Sequence, residues 1–436
     1  MDESKQLRLP ENEDYYPDYL LNLIQTDEVF PTLLRKHRDI HFMESLMSEA
    51  YIVAAARTAG GRRNGRLAGY HPVDLAAQIL NSLVEQVDFD PALIDDVILG
   101  CVSQAGEQSD NVARGAVLAS KLPVSVPATT VDRQCGSSQQ ALHFAVQAVL
   151  SGTQDIVIAG GVESMSRVPM GLPRTLAEKN GFGQYISPGI QAHYPNVIFS
   201  QFDGAEAIAR KYDLSKIQLD EFALHSHRKA AFATQAGYFR DEIVPIHIET
   251  AQGTIESHLI DEGIRFDATL EGIASVKLIQ ENGRLSAASA SQICDGASGV
   301  LIVNKKGLKT LGMKPLARIK HISVLGHDPV IMLEAPIPAT QRALAKAGLK
   351  ISDIDLYEVN EAFASVPLAW LKALNADPAK LNIHGGAIAL GHPLGATGTK
   401  LMTTLVHALH RTGGRYGLQT VCEGGGLANV TIIERL

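Results

Sequence analysis

Short apolar runs alternate with helical stretches from Tyr51 onward, and this alternation limits the possible fold more than any other feature. The runs at residues 97–99 and 155–159 are mostly aliphatic, which is typical of strands buried on both faces of a sheet. Between them, residues 137–150 place apolar side chains at helical spacing. The pattern predicts a largely α/β core in which helices cover sheets.

The sequence also contains two segments that are similar to each other. Residues 92–99 resemble residues 351–357, at an offset of roughly 258 positions. Each segment is followed by a glycine-rich helix start, at Cys135 and at His392, and then by a strand that ends at glycines. Those glycines are residues 160–161 and 424–426. A similarity this short can arise by chance, but it favours two halves related by a pseudo-twofold duplication.

Composition and charge exclude several classes of function. The 436 residues are 45% hydrophobic and 20% charged, as in ordinary soluble proteins. A net charge of −8 argues against nucleic acid as the main partner, because phosphate backbones require clustered positive charge. No apolar run is long enough to span a bilayer and the N-terminus lacks a secretory pattern, so a cytoplasmic protein that does not bind membranes is expected. Four widely spaced cysteines argue against a zinc site or a disulfide scaffold.

Two stretches depart from the alternation. Residues 1–48 are interpreted as an N-terminal extension of unknown role. Residues 165–291 are irregular and contain many glycines, prolines and tyrosines, with one amphipathic helix expected over residues 215–235. A long insertion of this kind more often covers a binding site than supports the core.

The first chemical motif is Cys135, which follows a strand-like run at the turn before an amphipathic helix. Backbone N–H groups at a helix N-terminus stabilise negative charge, so a lowered thiol pKa and a nucleophilic thiolate are expected there. A lone cysteine in this position is more often a small core residue.

The second motif runs from Gly385 to Gly398 and places His392 at the apex of a glycine-rich loop before a helix. It is not a phosphate-binding P-loop, because no Gly-Lys-Ser/Thr follows. A histidine in this place can deprotonate a thiol or donate to a developing oxyanion, although a structural histidine also explains the pattern.

The third motif follows a buried strand at Asn360 and Glu361. Asn360 can hold a water molecule or orient a catalytic group, and a helix cap is the alternative. Glu361 is better explained as a structural hydrogen-bonding carboxylate than as a general base.

The fourth motif is Cys422, which ends a strand immediately before Glu423 and three glycines. A thiol here can act as an acid or a base while the Gly424 N–H polarises a carbonyl group.

Together and in this order, the four motifs resemble those of the thiolase family, from about residue 49 to the C-terminus. The segments Asn-Glu-Ala-Phe, Gly-His-Pro and Cys-x-Gly are specific in combination. The resemblance implies an α/β thiolase fold, with duplicated βαβαβαββ halves in a five-layered αβαβα core and an inserted loop domain. The implied parts are an N-terminal half at residues 49–164 with 292–315, the loop domain at 165–291 and a C-terminal half at 316–436.

The resemblance also implies the role of each motif. Cys135 matches the family's nucleophile and His392 the histidine that activates it. Asn360 matches the residue whose bound water forms one oxyanion hole with His392. Cys422 matches the second catalytic cysteine, and Gly424 the donor that forms the other hole with the Cys135 N–H. The implied activity is that of an acyltransferase. It catalyses a reversible ping-pong reaction, the condensation that forms 3-ketoacyl-CoA or its thiolytic cleavage, through an acyl-cysteine intermediate. CoA is the implied co-substrate, and neither a metal nor a tightly bound cofactor is expected.

The residues implied in binding CoA and substrate match the family less closely. Arg265 matches an arginine that meets the nucleotide phosphates, although a solvated surface arginine also explains it. Ala287 and Ser291 match a segment that hydrogen-bonds the pantetheine, and Ala362 and Phe363 complete the substrate-binding set. Family members are dimers or dimers of dimers, so acyl-CoA, CoA and further copies of this chain, in a homodimer or homotetramer, are the expected partners.

Two segments depart from the family pattern. Residues 332–336 carry bulkier and acidic side chains where many relatives have small ones, and residues 167–170 lack landmarks of short-chain biosynthetic members. A degradative 3-ketoacyl-CoA thiolase of fatty acid or related acyl-chain β-oxidation is therefore favoured over an acetoacetyl-CoA-forming biosynthetic thiolase. Tyrosines and phenylalanines of the insertion are candidates to accept bulkier acyl groups.

Two other interpretations stay open at this point. A decarboxylating β-ketoacyl synthase shares the implied fold and a nucleophilic cysteine, but it typically uses a second histidine and has no need of Cys422. A thiolase-like protein that only binds acyl-CoA usually lacks a catalytic cysteine or histidine, and here all are present.

Overall fold

A computed structural model describes residues 49–250 and 252–436 of this chain. The extension interpreted over residues 1–48 lies outside the described residues. Within the described part, strands and helices alternate as predicted. None of the helices there is long and apolar enough to cross a membrane.

The strands and α-helices are numbered in chain order. The strands are β1 (Tyr51–Thr58), β2 (Gly61–Arg62), β3 (Asp96–Gly100), β4 (Ala128–Val131), β5 (Ile156–Ser164), β6 (Ile243–Val244), β7 (Ile246–Glu249), β8 (Ile255–His258), β9 (Cys294–Val303), β10 (Ala317–Gly326), β11 (Leu356–Val359), β12 (Tyr416–Glu423) and β13 (Leu427–Arg435). The helices are α1 (Pro72–Val87), α2 (Val112–Ala119), α3 (Ser137–Ser151), α4 (Leu172–Lys179), α5 (Pro188–His193), α6 (Gln201–Lys211), α7 (Lys216–Gln235), α8 (Leu270–Ala274), α9 (Lys305–Leu311), α10 (Pro336–Ala347), α11 (Ser365–Leu374), α12 (Ala387–Leu390) and α13 (Thr397–Thr412).

Both halves of the chain build the same strand order. In the first half β1, β9, β5 and β3 lie side by side, followed by β4 at the edge, and in the second half β10, β13, β12 and β11 do so. In each half the first two contacts of the series are antiparallel and the third is parallel. The strands β1 and β10 join the halves through two residue pairs, Tyr51 with Arg318 and Ile52 with Ala317. This topology confirms the predicted duplication.

Helices and sheet form the five predicted layers. The helices α1 and α2 bury their apolar faces on the outside of the first half, and α10 and α11 do the same for the second half. The helices α3 and α13 fill the middle layer, where Leu142 and Leu405 share one core with Val300 of β9 and Ile433 of β13. Because α3 and α13 are enclosed by both halves, the segments that precede them are brought toward the centre of the molecule.

The insertion between β5 and β9 contains α4 to α8 and the short strands β6 to β8. The helix predicted over residues 215–235 is confirmed as α7, which begins after Ser215 with a capping box completed by Gln218. One predicted boundary is wrong, since β5 does not end at Gly160 and Gly161 but continues to Ser164.

Candidate active site

Cys135 lies in a tight turn between β4 and α3, defined here as the cysteine turn (residues 132–136). Gln134 has a left-handed φ of 48°, which is uncommon for a residue other than glycine. Asp132 Oδ1 accepts a hydrogen bond from Gln134 N at 2.7 Å, and Gly136 N donates to Arg133 O at 3.1 Å. Cys135 is partly exposed, whereas the other three cysteines are buried. The turn therefore leaves this thiol more exposed than the other three.

The carboxyl group of Glu423 lies directly against the cysteine turn. A Cβ placed on Gly136 would come within 1.9 Å of Glu423 Oε1, so only glycine fits there. Glu423 is fully buried, and neither carboxyl oxygen has a well-aligned hydrogen-bond partner among the described residues. Burial raises the pKa of Glu423 well above its usual range, which favours the neutral form of this carboxyl group.

The thiol of Cys135 is protonated in the free enzyme. Although the residue is partly exposed, desolvation by the surrounding protein, followed by negative charge on Glu423, raises the pKa of Cys135 to about 12. Desolvation is the larger of these two causes. The lowered pKa predicted from the helix N-terminus is thus wrong for the free enzyme, since removal from water outweighs the backbone N–H groups. A base must take the proton as the thiol attacks.

His392 lies in the segment between α12 and α13, defined here as the histidine loop (residues 391–396). Gly391 has a φ of 80°, and a Cβ on it would lie 2.6 Å from Cys294 Sγ, so both conformation and space require glycine. His392 itself is buried, with 4% of its surface exposed. Burial, followed by the positive charge of Lys400, lowers the pKa of His392 to about 3. The imidazole is therefore neutral and able to accept a proton near pH 7.

The hydrogen bonds of His392 assign its tautomer. The hydroxyl of Thr397 donates to Pro393 O at 3.0 Å, and Thr397 Oγ1 lies 2.5 Å from His392 Nδ1. Because the hydroxyl proton is already used, Nδ1 is assigned as the protonated nitrogen that donates to Thr397. The unprotonated nitrogen is then Nε2, which lies 3.4 Å from Asn360 Nδ2. The base of this site is Nε2.

Asn360 follows β11 and is placed beside β12 by a 3.1 Å hydrogen bond from its backbone N–H to Thr420 O. The side chain is buried, and its Oδ1 has no hydrogen-bond partner among the described residues. Buried polar atoms of proteins normally have a partner. An open acceptor next to the imidazole of His392 is therefore suited to hold a water molecule.

Cys422 lies at the end of β12 and is electrostatically coupled to Cys135. Burial raises the pKa of Cys422 well above its usual range, and a thiolate on Cys135 would raise it further. Its thiol is therefore protonated and can act as an acid. A Cβ on Gly424 would lie 2.9 Å from Gln134 Oε1, so the glycines after Cys422 pack against the cysteine turn.

The cysteine turn and the histidine loop are brought together because the starts of α3 and α13 pack backbone against backbone. A Cβ on Gly398 would lie 2.2 Å from Gln139 N, and a Cβ on Gly161 would lie 2.1 Å from Gly395 O. These glycines permit an approach that any side chain would block. Gly161 therefore serves this contact and not the strand end predicted at that position.

Four of the residues assigned to substrate binding lie on two segments that pair with each other. They are Ala287 and Ser291 on one segment and Ala362 and Phe363 on the other. Ser291 N donates to Ala362 O at 2.9 Å, and Ala290 pairs with Phe363 in an isolated antiparallel bridge. Ala362 and Phe363 are buried, whereas Ala287 is exposed in a 3-10 turn and Ser291 is half-buried. The pairing joins the insertion to the Asn-Glu-Ala-Phe motif.

Arg265 lies on the surface, some distance along the chain from these segments. Its backbone N–H donates to His227 Nδ1 at 3.2 Å, and its side chain is exposed. Gln292 ties the preceding residues to the site, since its Nε2 donates to Gly263 O at 2.8 Å and to Ile388 O at 2.7 Å.

Sequence analysis missed Glu163, a fully buried residue of β5. Glu163 Oε2 accepts hydrogen bonds from Gly395 N at 2.8 Å and from Val102 N at 2.9 Å, while Oε1 accepts from Ser103 N at 3.0 Å and from Gln108 Nε2 at 2.8 Å. The signal that could have found it is an acidic residue inside an otherwise apolar strand. Glu163 fixes the histidine loop to the first half.

The contacts of Glu361 favour its structural interpretation. Its carboxylate accepts from Asn382 Nδ2 at 2.8 Å, from Ser226 Oγ at 2.7 Å and from Ile388 N at 3.1 Å. Both oxygens are thus engaged, which leaves Glu361 poorly suited to act as a base.

Comparison with known proteins agrees with this geometry. The family model described as "Thiolase, N-terminal domain" matches residues 50–306, and "Thiolase, C-terminal domain" matches residues 313–435. The chain is 52% identical over 394 residues to a steroid 3-ketoacyl-CoA thiolase, FadA6, of Mycobacterium tuberculosis, covering 90% of this chain and 95% of that protein. It is 41% identical over 394 residues to an acetyl-CoA acetyltransferase of Chromobacterium violaceum, covering 89% of this chain and all of the relative. A 3-ketoacyl-CoA thiolase of Cronobacter sakazakii is 39% identical over 397 residues, with the same coverage.

The duplicated five-layered fold and these similarities define a CoA-dependent acyltransferase. The chain belongs to the thiolase family.

Proposed function

We propose that this chain is a degradative thiolase that cleaves 3-ketoacyl-CoA esters with free CoA through an acyl intermediate on Cys135. The observation that carries the proposal is an arrangement of three groups around the N-terminal ends of α3 and α13, which pack against each other. These groups are the partly exposed Cys135, the neutral His392 beside Asn360 and the buried, protonated Cys422. A β-ketoacyl synthase has no use for a second thiol, so the placement of Cys422 next to the nucleophile favours a thiolase.

In the first half-reaction, Cys135 Sγ attacks the 3-keto carbonyl carbon while its proton passes to His392 Nε2. The N–H groups of Cys135 and Gly424 stabilise the oxyanion. The bond between C2 and C3 then breaks, and its electron pair forms the enolate of acetyl-CoA. Cys422 protonates the enolate carbon, while a water on Asn360 and the imidazole of His392 stabilise the enolate oxygen. His392 returns its proton to Cys422, and acetyl-CoA leaves.

In the second half-reaction, the thiol of free CoA attacks the acyl-Cys135 thioester and His392 Nε2 takes the thiol proton. The tetrahedral intermediate collapses as the bond to Cys135 Sγ breaks, and His392 returns the proton to this sulfur. The product is an acyl-CoA two carbons shorter than the substrate. The same steps in reverse form a 3-ketoacyl-CoA.

We further propose that the acyl group is bulky or ring-bearing and lies against the insertion. An open cavity of about 670 Å³ is lined by residues between Gln184 and Phe199, including three aromatic side chains. Phe202, three residues later, contacts the ring of Phe363 edge-on at a centroid distance of 5.6 Å. Phe199 of the cavity lining also packs against the hydrophobic cluster that contains Phe363. The similarity to a relative named as a steroid thiolase supports the same substrate class.

Both segments that depart from the family pattern contact the same helix, α6. Gln201 Nε2 lies 3.8 Å from Met170 Sδ. A Cβ on Gly204 of the same helix would lie 2.9 Å from Ile331 O and 3.5 Å from Met332 Cβ. Because α6 also carries Phe202, the departures are grouped on the side of the proposed acyl site. This grouping supports a substrate other than acetoacetyl-CoA.

The proposed function is tested by thiolysis of a panel of 3-ketoacyl-CoA esters with free CoA, from acetoacetyl-CoA to long-chain and ring-bearing esters. We expect cleavage by the wild type and none by Cys135→Ala, with larger kcat/KM for the bulkier esters. Failure of a folded wild type to cleave any ester would refute the thiolase assignment. Equal kcat/KM across the panel would refute the acyl preference alone.

Phe202→Ala is expected to lower kcat/KM for ring-bearing esters about 3- to 10-fold, because one aromatic contact is lost on the acyl side. Turnover of acetoacetyl-CoA should stay within about twofold, since its acyl group is too short to reach the ring. The matched control is Phe182→Ala, which removes an aromatic side chain that is 84% exposed. Loss of acetoacetyl-CoA turnover in Phe202→Ala would show that the residue supports the fold and not the substrate.

We also propose that Arg265, Ala287 and Ser291 of the insertion bind CoA and that the protein is a homodimer or homotetramer, as the family resemblance implies. Size-exclusion chromatography with light scattering distinguishes the two assemblies, and a monomer at micromolar concentration would contradict both.

A further inference from the structure

Lys400 is a buried lysine on the first turn of α13, with 4% of its surface exposed. Its Nζ donates to Leu390 O at 2.5 Å and to Gly391 O at 3.3 Å. These carbonyls belong to the two residues that precede His392 along the chain. No step of the proposed reaction uses Lys400 directly.

The lysine caps the C-terminal end of α12, a helix of only four residues. The last carbonyl groups of a helix lack partners within it, and so short a helix is not stable without tertiary contacts. A positive charge at this end also interacts favourably with the helix dipole. The two hydrogen bonds of Lys400 therefore fix the end of α12 and the beginning of the histidine loop.

Lys400 is itself held by a buried cluster of four charges, which consists of Arg57, Glu242, Asp261 and Lys400. Lys400 Nζ lies 3.8 Å from Asp261 Oδ1, and Arg57 Nη1 donates to the same oxygen at 2.9 Å. Arg57 Nε donates to Glu242 Oε1 at 2.6 Å. Burial lowers the pKa of Lys400, whereas the negative charges of Asp261 and Glu242 act in the opposite direction and favour the charged ammonium group.

We propose that Lys400 is a positioning residue for His392, which acts by capping α12 and thereby fixing the backbone from which the imidazole projects. The inference rests on the proposed function, in which His392 Nε2 is the base. It adds a residue of α13 to the machinery, although this residue touches neither substrate nor the reacting atoms.

The charge of Lys400 gives the inference a measurable consequence. Burial lowers the pKa of His392 first, and the charge of Lys400 lowers it further. The other titratable groups around the histidine loop include the charges of the cluster, the thiol of Cys294 against Gly391, Glu163 at Gly395 N and Glu361 against Gly386. Without the ammonium group, the pKa of His392 moves up toward the ordinary value of 6.5. Because the base works only when neutral, activity is then lost at a higher pH as the solution is acidified.

The test compares Lys400→Met, Lys400→Gln and Lys400→Arg with the wild type. In Lys400→Met we expect kcat to fall on the order of 10- to 100-fold. We also expect the acid limb, the part of the pH profile in which kcat/KM falls at low pH, to move to higher pH. Lys400→Gln keeps one donor, so its kcat should fall less, while its acid limb moves as in Lys400→Met. Lys400→Arg keeps the charge, so its acid limb should stay where the wild type has it.

Hydrogen exchange of the segment 387–395 gives a readout that does not depend on turnover. We expect faster exchange of this segment in Lys400→Met, with the remainder of the chain unchanged, and near wild-type exchange in Lys400→Arg. The inference would be overturned if Lys400→Met showed neither a shift of the acid limb nor faster exchange of this segment. If Lys400→Met does not fold, the same outcome in Lys400→Gln would overturn it. An inactive wild type would instead refute the proposed function, and the exchange data would still decide whether Lys400 holds the loop.

Discussion

Cys422→Ala is expected to lower kcat for thiolysis about 10³-fold while leaving the exchange of acyl groups between acyl-CoA and free CoA within about threefold of the wild type. Cleavage of the C2–C3 bond creates an enolate, and the buried, protonated thiol of Cys422 is the acid placed beside Cys135 to protonate it. Acyl exchange requires only Cys135 and a base, because no carbon–carbon bond is broken. Both reactions are measured with the same enzyme preparation, the exchange by incorporation of labelled CoA.

Cys101→Ala is the matched control, because it also removes a fully buried thiol. We expect it to retain both reactions within a few-fold, since Cys101 has no place in the proposed chemistry. Equal loss of thiolysis and exchange in Cys422→Ala would show that Cys422 supports the site's structure. Full retention of thiolysis would remove it from the mechanism.

His392→Gln is expected to lower both reactions about 10³-fold. The thiol of Cys135 has a raised pKa and is protonated in the free enzyme, so each attack on a carbonyl depends on transfer of its proton to His392 Nε2. Alkylation of Cys135 by iodoacetamide should slow in parallel at pH 7, because the same deprotonation is required. Turnover and alkylation are both measured over a range of pH.

The control for this variant is His143→Gln, which removes another buried imidazole whose pKa burial also lowers to about 3. His143 Nε2 lies 2.8 Å from Thr431 Oγ1 between α3 and β13, away from the proposed chemistry. We expect a lower Tm with activity within a few-fold. If His392→Gln kept the exchange reaction while losing thiolysis, another group would have to activate the thiols.

Much of the fold is predictable from this sequence because its elements are long and periodic. The amphipathic pattern after Cys135 predicted the bounds of α3 to within one residue, and Ser215 indicated the start of α7. The weak similarity between residues 92–99 and 351–357 corresponds to the matching strand orders of the two halves, which meet at β1 and β10. In contrast, Gly160 and Gly161 suggested a strand end, whereas their close backbone contacts with Ser298 and Gly395 explain why glycines occur inside β5.

The electrostatics of the candidate site could not be predicted in the same way. The position of Cys135 before a helix indicated a lowered pKa, but the raised pKa follows from the protein that closes around it, including Glu423 from the other half of the chain. Glu163 and Lys400 carry no local motif, because their partners lie far away in sequence or are backbone atoms. Such contacts become visible only once the two halves are packed together.

The most direct test of the central claim is mass spectrometry of the wild type after brief mixing with a 3-ketoacyl-CoA in the absence of free CoA, followed by acid quenching and digestion. The account predicts one acyl group, shorter than the substrate acyl by two carbons, on the peptide that contains Cys135, and its disappearance when free CoA is added. An acyl group on a different residue, or rapid thiolysis by an enzyme that never carries an acyl group on Cys135, would contradict the account.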